Sequence, residues 1–577
     1  MKQIKKNILT IGLMLSLVYV LSSCNDFLNR PTVDGYNVDN FYQNDDQCFQ
    51  AVDILYGAPW YDMMRFFISA GERTSGNIYD SGAYGTFTVS SGDGSLSLAS
   101  QALWAVNANA NGIIQNIDMK SSPQVTQTTK NTVKGEALVW KAMAYFYLVR
   151  TFGAVPIIHD NAAMIAAANY ADVRKATITN VYDYIVMVLN KAIEWLPEKN
   201  QRGRLDRYCA YALLSKVYLY KSGCDGENKT RNQEDLDNAA KYAKIVIDQS
   251  GRKLMPNYED IFRFHNNVSD ESLIAWLWIS DPVWTSQNSL QSDLAVDQFS
   301  GFDDNWGYWT AVSADLQDAF GETPLSKTRN NHDLRRHATM MMYGDHYDYF
   351  WRDKGGFDWT SHVMGTLIGG KVQKDLNGTA SNCVKHLIGN QADQVGEGGP
   401  ANMDKMRNGL ATHLLRLADV YLIYAEAKIG NAASTSDASA LAAFNAVHSR
   451  AVPSDPQKTS ITWEDVWKER RLELAIEGDR WYDYVRWSYY DSDAAIAELK
   501  NQRRAGYSGL KAFYQSGSTT PDTNTTYYDK EPKPLNPGQM YDSKLKSFVF
   551  PYPDKDVIAN PHLLEDPVEQ DISQYKY

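Results

Sequence analysis

The sequence predicts a mostly α-helical protein, built of stacked helix hairpins that support a loop-rich region with little β-structure. Three observations lead there. Segments with apolar residues three and four apart recur in neighbouring pairs, joined by short polar connections. A span of some 150 residues in the middle lacks that periodicity and is rich in Gly, Asp, Asn, Trp and Tyr. Strand-like alternation occurs once, in Leu273 to Ile279.

The chain begins with Lys2, Lys5 and Lys6, followed by a mostly apolar run from Ile8 to Leu21. Fourteen helical residues reach about 21 Å, short of the roughly 30 Å of a hydrocarbon core. The run therefore reads as a secretory signal over residues 1–23. Leu21-Ser22-Ser23-Cys24 resembles a bacterial lipobox, which makes Cys24 the expected lipidation site and the new N-terminus. Two or three acyl chains anchor stably where one is marginal. Without residues 1–23 the chain carries 54 basic and 69 acidic side chains, a net charge of −15. That balance disfavours a nucleic-acid partner. The 15 Trp, 36 Tyr and 19 Phe call for a large core, an aromatic binding surface, or both.

Helices are expected over 102–117, 133–152 (stopped by Gly153 and Pro156), 181–196, 206–220 and 236–249, then over 412–429, 436–450 and 463–487. A tetratricopeptide period of 34 is not legible in strict form. The region 256–407 stands apart as a loop-rich, aromatic-rich candidate for ligand binding, between helical regions 24–255 and 408–577. Cys209 and Cys224 lie at either end of one helix, roughly 20 Å apart, too far for the ~4.4–6.8 Å of a disulfide, so free thiols are expected.

The motifs resemble, in order along the chain, those of the SusD/RagB family of outer-membrane nutrient-binding lipoproteins. The resemblance is carried by CNDFLNRP at residue 24, GEALVWKAMAYFYLVRTFGAVPII at 135–158, LLRLADVYLIYAEAK, ERRLELAIEGDRWYDYVRW and FVFPYPDKDVIANPHL. It covers 24–577 except the 256–407 region. One departure is His448, where the family usually has arginine. The resemblance implies helix hairpins of tetratricopeptide type under a loop-rich lobe. It further implies capture of oligosaccharide or polysaccharide at the cell surface, for a SusC-like TonB-dependent transporter. It implies no cofactor and no catalysis. A surface glycoside hydrolase and a RagB-like peptide-capturing protein remain as alternatives.

Chemical motifs of other classes are weak. Gly365 to Val372 nearly matches a P-loop but has Val372 where a magnesium-binding hydroxyl is required. No His-Glu-x-x-His or Gly-x-Ser-x-Gly occurs, and no metal site is expected. The alternating charges from Glu469 to Arg480 read as a salt-bridged helix face. Seven tryptophans fall on helices and two on the strand. Trp60, Trp284, Trp306, Trp309, Trp351 and Trp359 fall in irregular, polar surroundings. Sugar rings offer a CH face that stacks on aromatics and hydroxyls that need Asp, Asn or Arg. On that logic the expected ligand residues are Trp306, Trp309, Tyr308, Asp304 and Asn305 in GFDDNWGYW. Trp351, Arg352, Asp353 and Trp359 are added from DHYDYFWRDKGGFDW. Asn77, Tyr79 and Asp80 come from GNIYDSG, which the resemblance places on the substrate side.

Overall fold

A computed structural model describes residues 41–168, 173–224, 226, 228–280, 283–307, 310–363, 378–404, 406–504, 506–507, 509–519 and 548–577. Cys24 and the signal, Tyr308, Trp309 and the Gly365–Val372 stretch lie outside the described residues.

The fold is mostly α-helical. Among the described residues nine long helices carry it: α1 (Gly94–Lys120), α2 (Gln127–Phe152), α3 (Ile178–Trp195), α4 (Arg207–Lys221), α5 (Gln233–Gln249), α6 (Leu417–Ile429), α7 (Ala438–Ala451), α8 (Trp463–Glu473) and α9 (Arg480–Asn501). Seven of their starts are set by side-chain caps. Asp93, Thr126, Thr177, Asp206, Asn232 and Asp437 each accept from a first-turn backbone N–H, and Thr462 and Asp465 form a reciprocal capping box. The first helix therefore begins eight residues before the expected Ala102, because Ser95, Ser97 and Ser100 dilute its apolar period without breaking the helix.

Successive helices from α1 to α7 pack on one another, and α5 packs against α6 although more than 160 residues separate them in sequence. The helical array thus continues past the loop-rich region, which leaves and re-enters it. The two crossing points are joined by an antiparallel ribbon of β1 (Ser272–Trp276) and β2 (Thr412–Arg416), with Trp276 opposite Thr412 and Ser272 opposite Arg416. Here the expected helix from 412 is corrected. Residues 412–416 are a strand, because pairing to β1 satisfies their backbone, and α6 starts only at Leu417, whose N–H donates to the Glu271 carbonyl (2.9 Å). The described residues of 256–407 otherwise hold only short helices and two-residue strands.

The expected single helix over 463–487 is also corrected. It breaks between α8 and α9, where Ile476 (φ +63°) and Gly478 (φ +77°) take left-handed backbone conformations. The Glu72 carboxylate, fully buried, accepts from Ile476 N (3.1 Å) and Gly478 N (2.7 Å) and pins the break to the N-terminal region.

The alternating charges of this segment are ion-paired, as expected of a salt-bridged face, but they point into the interior. Glu469, Arg470, Glu473, Glu477, Asp479, Arg480 and Asp483 are all buried. Around Glu473 converge Arg335 (3.2 Å), Arg416 (3.0 Å) and Arg450 (2.6 Å). Arg416 also holds Glu271 and Glu477 (2.6 and 2.7 Å), and Lys385 holds Glu477 (2.7 Å). His448, the family departure, pairs with Glu469 at 2.9 Å. A second buried network ties α2, α4, α6 and α9 through Arg150–Asp479, Lys216–Asp419 and Arg486–Glu426. Cys209 and Cys383 are buried free thiols and Cys224 is a half-buried one.

Candidate functional site

The segment that presents the site is a short 3-10 stretch, Ala58–Met63, running into the helix Met64–Ile68. Trp60 anchors it. The indole is fully buried, donates to the Leu55 carbonyl (2.8 Å) and packs against Trp140 and Trp276 with ring centroids 5.6 and 5.5 Å away. Trp60 therefore belongs to the core and not to a ligand surface. With that residue fixed inward, Tyr61 is half-buried at the surface and Arg65, one turn on, is exposed.

Two loop tryptophans flank this pair. Trp284, 56% exposed, meets Tyr61 edge-on with centroids 5.8 Å apart. Trp306, 37% exposed, lies 6.0 Å from the Arg65 guanidinium, and its indole N–H donates to Asp293 Oδ1 (2.7 Å). Arg65 Nε donates to the other Asp293 oxygen (3.0 Å). The result is a continuous strip, Trp284–Tyr61–Arg65–Trp306, with a carboxylate holding the cation and the second indole in register. Partial burial raises the Tyr61 phenol above its ordinary range, so it is a neutral hydroxyl at neutral pH.

The residues around Trp306 explain its pose. Trp306 N and Gly307 N donate to the Ser292 and Ala295 carbonyls (2.9 Å each). A Cβ on Gly307 would fall 2.4 Å from the Leu294 carbonyl carbon, so only glycine allows this approach. Asp304 and Asn305 are buried and shape the turn. Asp304 accepts from the Ser300 hydroxyl and from Met406 N (2.5 Å), and Asn305 accepts from Ser300 N (2.9 Å). Both support the ring and have little surface left for sugar hydroxyls.

The second aromatic stretch is placed differently from expectation. Trp351 is 9% exposed, donates to the Phe299 carbonyl (2.8 Å) and has its left-handed backbone held by the Asp393 carboxylate (2.8 Å). Trp359 is 1% exposed and donates to the Ala380 carbonyl (3.2 Å). These two rings are packing, because the loop-rich lobe needs a core of its own. Arg352 is exposed beside Glu397 (3.6 Å), and Asp353 accepts from Asn390 (2.9 Å). In the third stretch Asn77 is fully buried, spanning Glu72 (2.8 Å) and Arg471 (3.0 Å), and Asp80 closes its own loop on Gly82 N and Gly85 N. Tyr79 is half-buried.

The structure does bring the three stretches together. Ile78 bridges Val312, just beyond Trp306, and Trp351 bonds to Phe299, just before it. What sequence reasoning missed is Tyr61, Arg65 and Asp293, and the weight due to Trp284. The one legible signal was the four-residue spacing of Tyr61 and Arg65. Among the described residues no group of three or more His, Cys, Asp or Glu is arranged to hold a metal. No helix among them is long and apolar enough to cross a membrane.

A family model described as the SusD family matches residues 193–568, and one described as starch-binding associating with outer membrane matches residues 91–219. The chain is 32% identical over 566 residues to a SusD-like protein of Bacteroides ovatus, covering 95% of this chain and 96% of the relative. A crystal structure with xylogluco-oligosaccharide superposes with a TM-score of 0.73 at 30% identity, covering 91% of this chain and 99% of that one. A laminarin-binding SusD-like protein shares the fold at 22% identity and a TM-score of 0.58, covering 82% and 95%. The helical array and these matches agree, and the chain belongs to the SusD/RagB family.

Proposed function

We propose that this protein is a non-catalytic glycan-binding lipoprotein of the outer-membrane surface, anchored through Cys24, that captures oligosaccharides and hands them to a SusC-like TonB-dependent transporter. The observation that carries the reading is the exposed strip Trp284–Tyr61–Arg65–Trp306. Exposed indoles offer planes for the CH faces of sugar rings, and Tyr61, Arg65 and Asp293 offer hydroxyl partners between them. The 30%-identical structure with xylogluco-oligosaccharide supports a glycan ligand and makes β-glucan oligosaccharides the first to test. Chain length and spacing would be read by the separation of the two indoles, and linkage by the polar groups between them.

The test is calorimetric titration of the purified protein with a panel of oligosaccharides and peptides, with product analysis after prolonged incubation. Trp284→Ala and Trp306→Ala are each expected to weaken glycan binding about ten- to a hundredfold, the ~1–3 kcal/mol of a stacked ring. Melting temperatures should stay near the parent's, because both rings are substantially exposed. Full affinity in both variants, binding confined to peptides, or turnover of the glycan would overturn this reading. The anchor is tested separately: Cys24→Ala should move the protein out of the membrane fraction.

A further inference from the structure

A second cleft, away from the aromatic strip, lies where the helical array meets the root of the loop-rich lobe. Its volume is about 340 Å³. Its walls are the 199–206 connection between α3 and α4, the turn after α5 and strand β1 with the residues before it. The chain as a whole carries a net charge of −12, yet four cations line this cleft, Lys199, Arg202, Arg204 and Arg252, against two carboxylates, Asp206 and Asp270.

The four cations are not equivalent. Arg204 is committed to Asp53 (2.5 Å) and to the Phe49 carbonyl (3.0 Å). Arg252 is committed to Asp206 (2.7 Å) and to the Ser272 carbonyl (2.9 Å). These two cancel their own charges. Lys199 and Arg202 are exposed and have no ion pair among the described residues. The left-handed turn at Gly203 (φ +89°) folds Arg202 back over Val268, whose carbonyl accepts from Arg202 Nε (3.4 Å), while its two terminal nitrogens have no partner among the described residues. The wall beneath adds a second, independent sign of a missing partner. Ser269, 7% exposed, has a buried hydroxyl with no hydrogen-bond partner among the described residues. A buried unpaired hydroxyl is costly, and it stands on the same wall as the uncommitted cations.

We propose that this cleft is an oxyanion-binding site, which takes the carboxylate of an acidic sugar or a phosphate group. A guanidinium fork with free terminal nitrogens matches a planar or tetrahedral oxyanion in two-pronged fashion, and the Lys199 ammonium supplies a mobile point charge. The only aromatic side chain in the lining among the described residues, Tyr56, is buried with its hydroxyl donating to Glu136 (2.9 Å). A neutral sugar ring therefore has no exposed plane to stack on here, in contrast to the Trp284–Trp306 strip. Asp270, exposed at the rim, limits the attraction.

The experiment is titration of the full chain with inorganic phosphate, with sodium glucuronate and with glucose, at low and at raised ionic strength. Both anions are expected to bind with a Kd in about the millimolar range, more weakly as salt rises, and glucose not at all. Lys199→Gln combined with Arg202→Gln should weaken anion binding about tenfold or more. Asp270→Asn should tighten it about two- to fivefold by removing an opposing charge at the rim. Both variants should keep the parent's melting temperature and its affinity for glycan at the aromatic strip. Binding of phosphate alone would identify the phosphate source, and binding of glucuronate alone the acidic sugar. Absence of binding by either anion, or equal binding by the double variant, would overturn the proposal.

Discussion

Glu473→Gln is the perturbation that best tests the buried charge network. Glu473 is fully buried, and its two oxygens accept from three guanidinium groups, those of Arg416, Arg450 and Arg335. Burial alone would push its carboxyl up. Arg450, Arg416 and Arg335 outweigh that and hold it at about 2, against 4.5 for a free glutamate. At about 1.4 kcal/mol per pH unit, that difference corresponds to roughly 3 kcal/mol of folding stability. The amide keeps the shape but offers one acceptor oxygen, and it turns an NH2 group toward a guanidinium. The loss at neutral pH should therefore be about 3 kcal/mol, in the range found when one member of a buried pair is removed. The folded-state value lies below the unfolded one, so the contribution is complete above pH 4.5 and disappears as pH falls toward 2. Urea unfolding followed by tryptophan fluorescence, at pH 7 and at steps down to pH 3, measures both features. A parent-minus-variant difference below about 1 kcal/mol at pH 7, or one that does not shrink on acidification, would refute the assignment of the network's stability to this ionised carboxylate.

Gly478→Ala should destabilise by roughly 2 kcal/mol or more, because the residue has φ +77° and its Cβ would fall 2.2 Å from the Phe67 ring; thermal melting checks it. Trp359→Ala should cost ~3–5 kcal/mol of stability while leaving glycan affinity unchanged, the reverse of Trp306→Ala; melting and titration on the same two proteins separate the roles. Burial raises the Cys383 thiol to about 12, so a thiol reagent at pH 8 should label the half-buried Cys224 and leave Cys383 unmodified until denaturant is added.

The sequence by itself determined the elements whose signal is local. Helices such as α3 and α5 show an apolar stripe at three- and four-residue spacing, and their caps sit within four residues of their starts. The family followed from the same cause, since its motifs are largely runs of buried helix such as 135–152, where nearly every side chain is inside. Tertiary structure decided whatever depends on a distant partner. Thr412–Arg416 is a strand only because Ser272–Trp276 is beside it, although its apolar period reads as helix. The charges from Glu469 to Arg480 read as a salt-bridged helix face from spacing alone, but not as a buried one, and they are buried because Arg335, Arg416 and Arg450 arrive from elsewhere in the chain. The tryptophans show this most directly. Trp60, Trp284, Trp306, Trp351 and Trp359 have similar polar neighbours in sequence, yet two are exposed and three are buried. A ring's exposure depends on what packs over it through space, and the residues that make Trp284 and Trp306 one surface, Tyr61 and Arg65, lie more than 200 positions away.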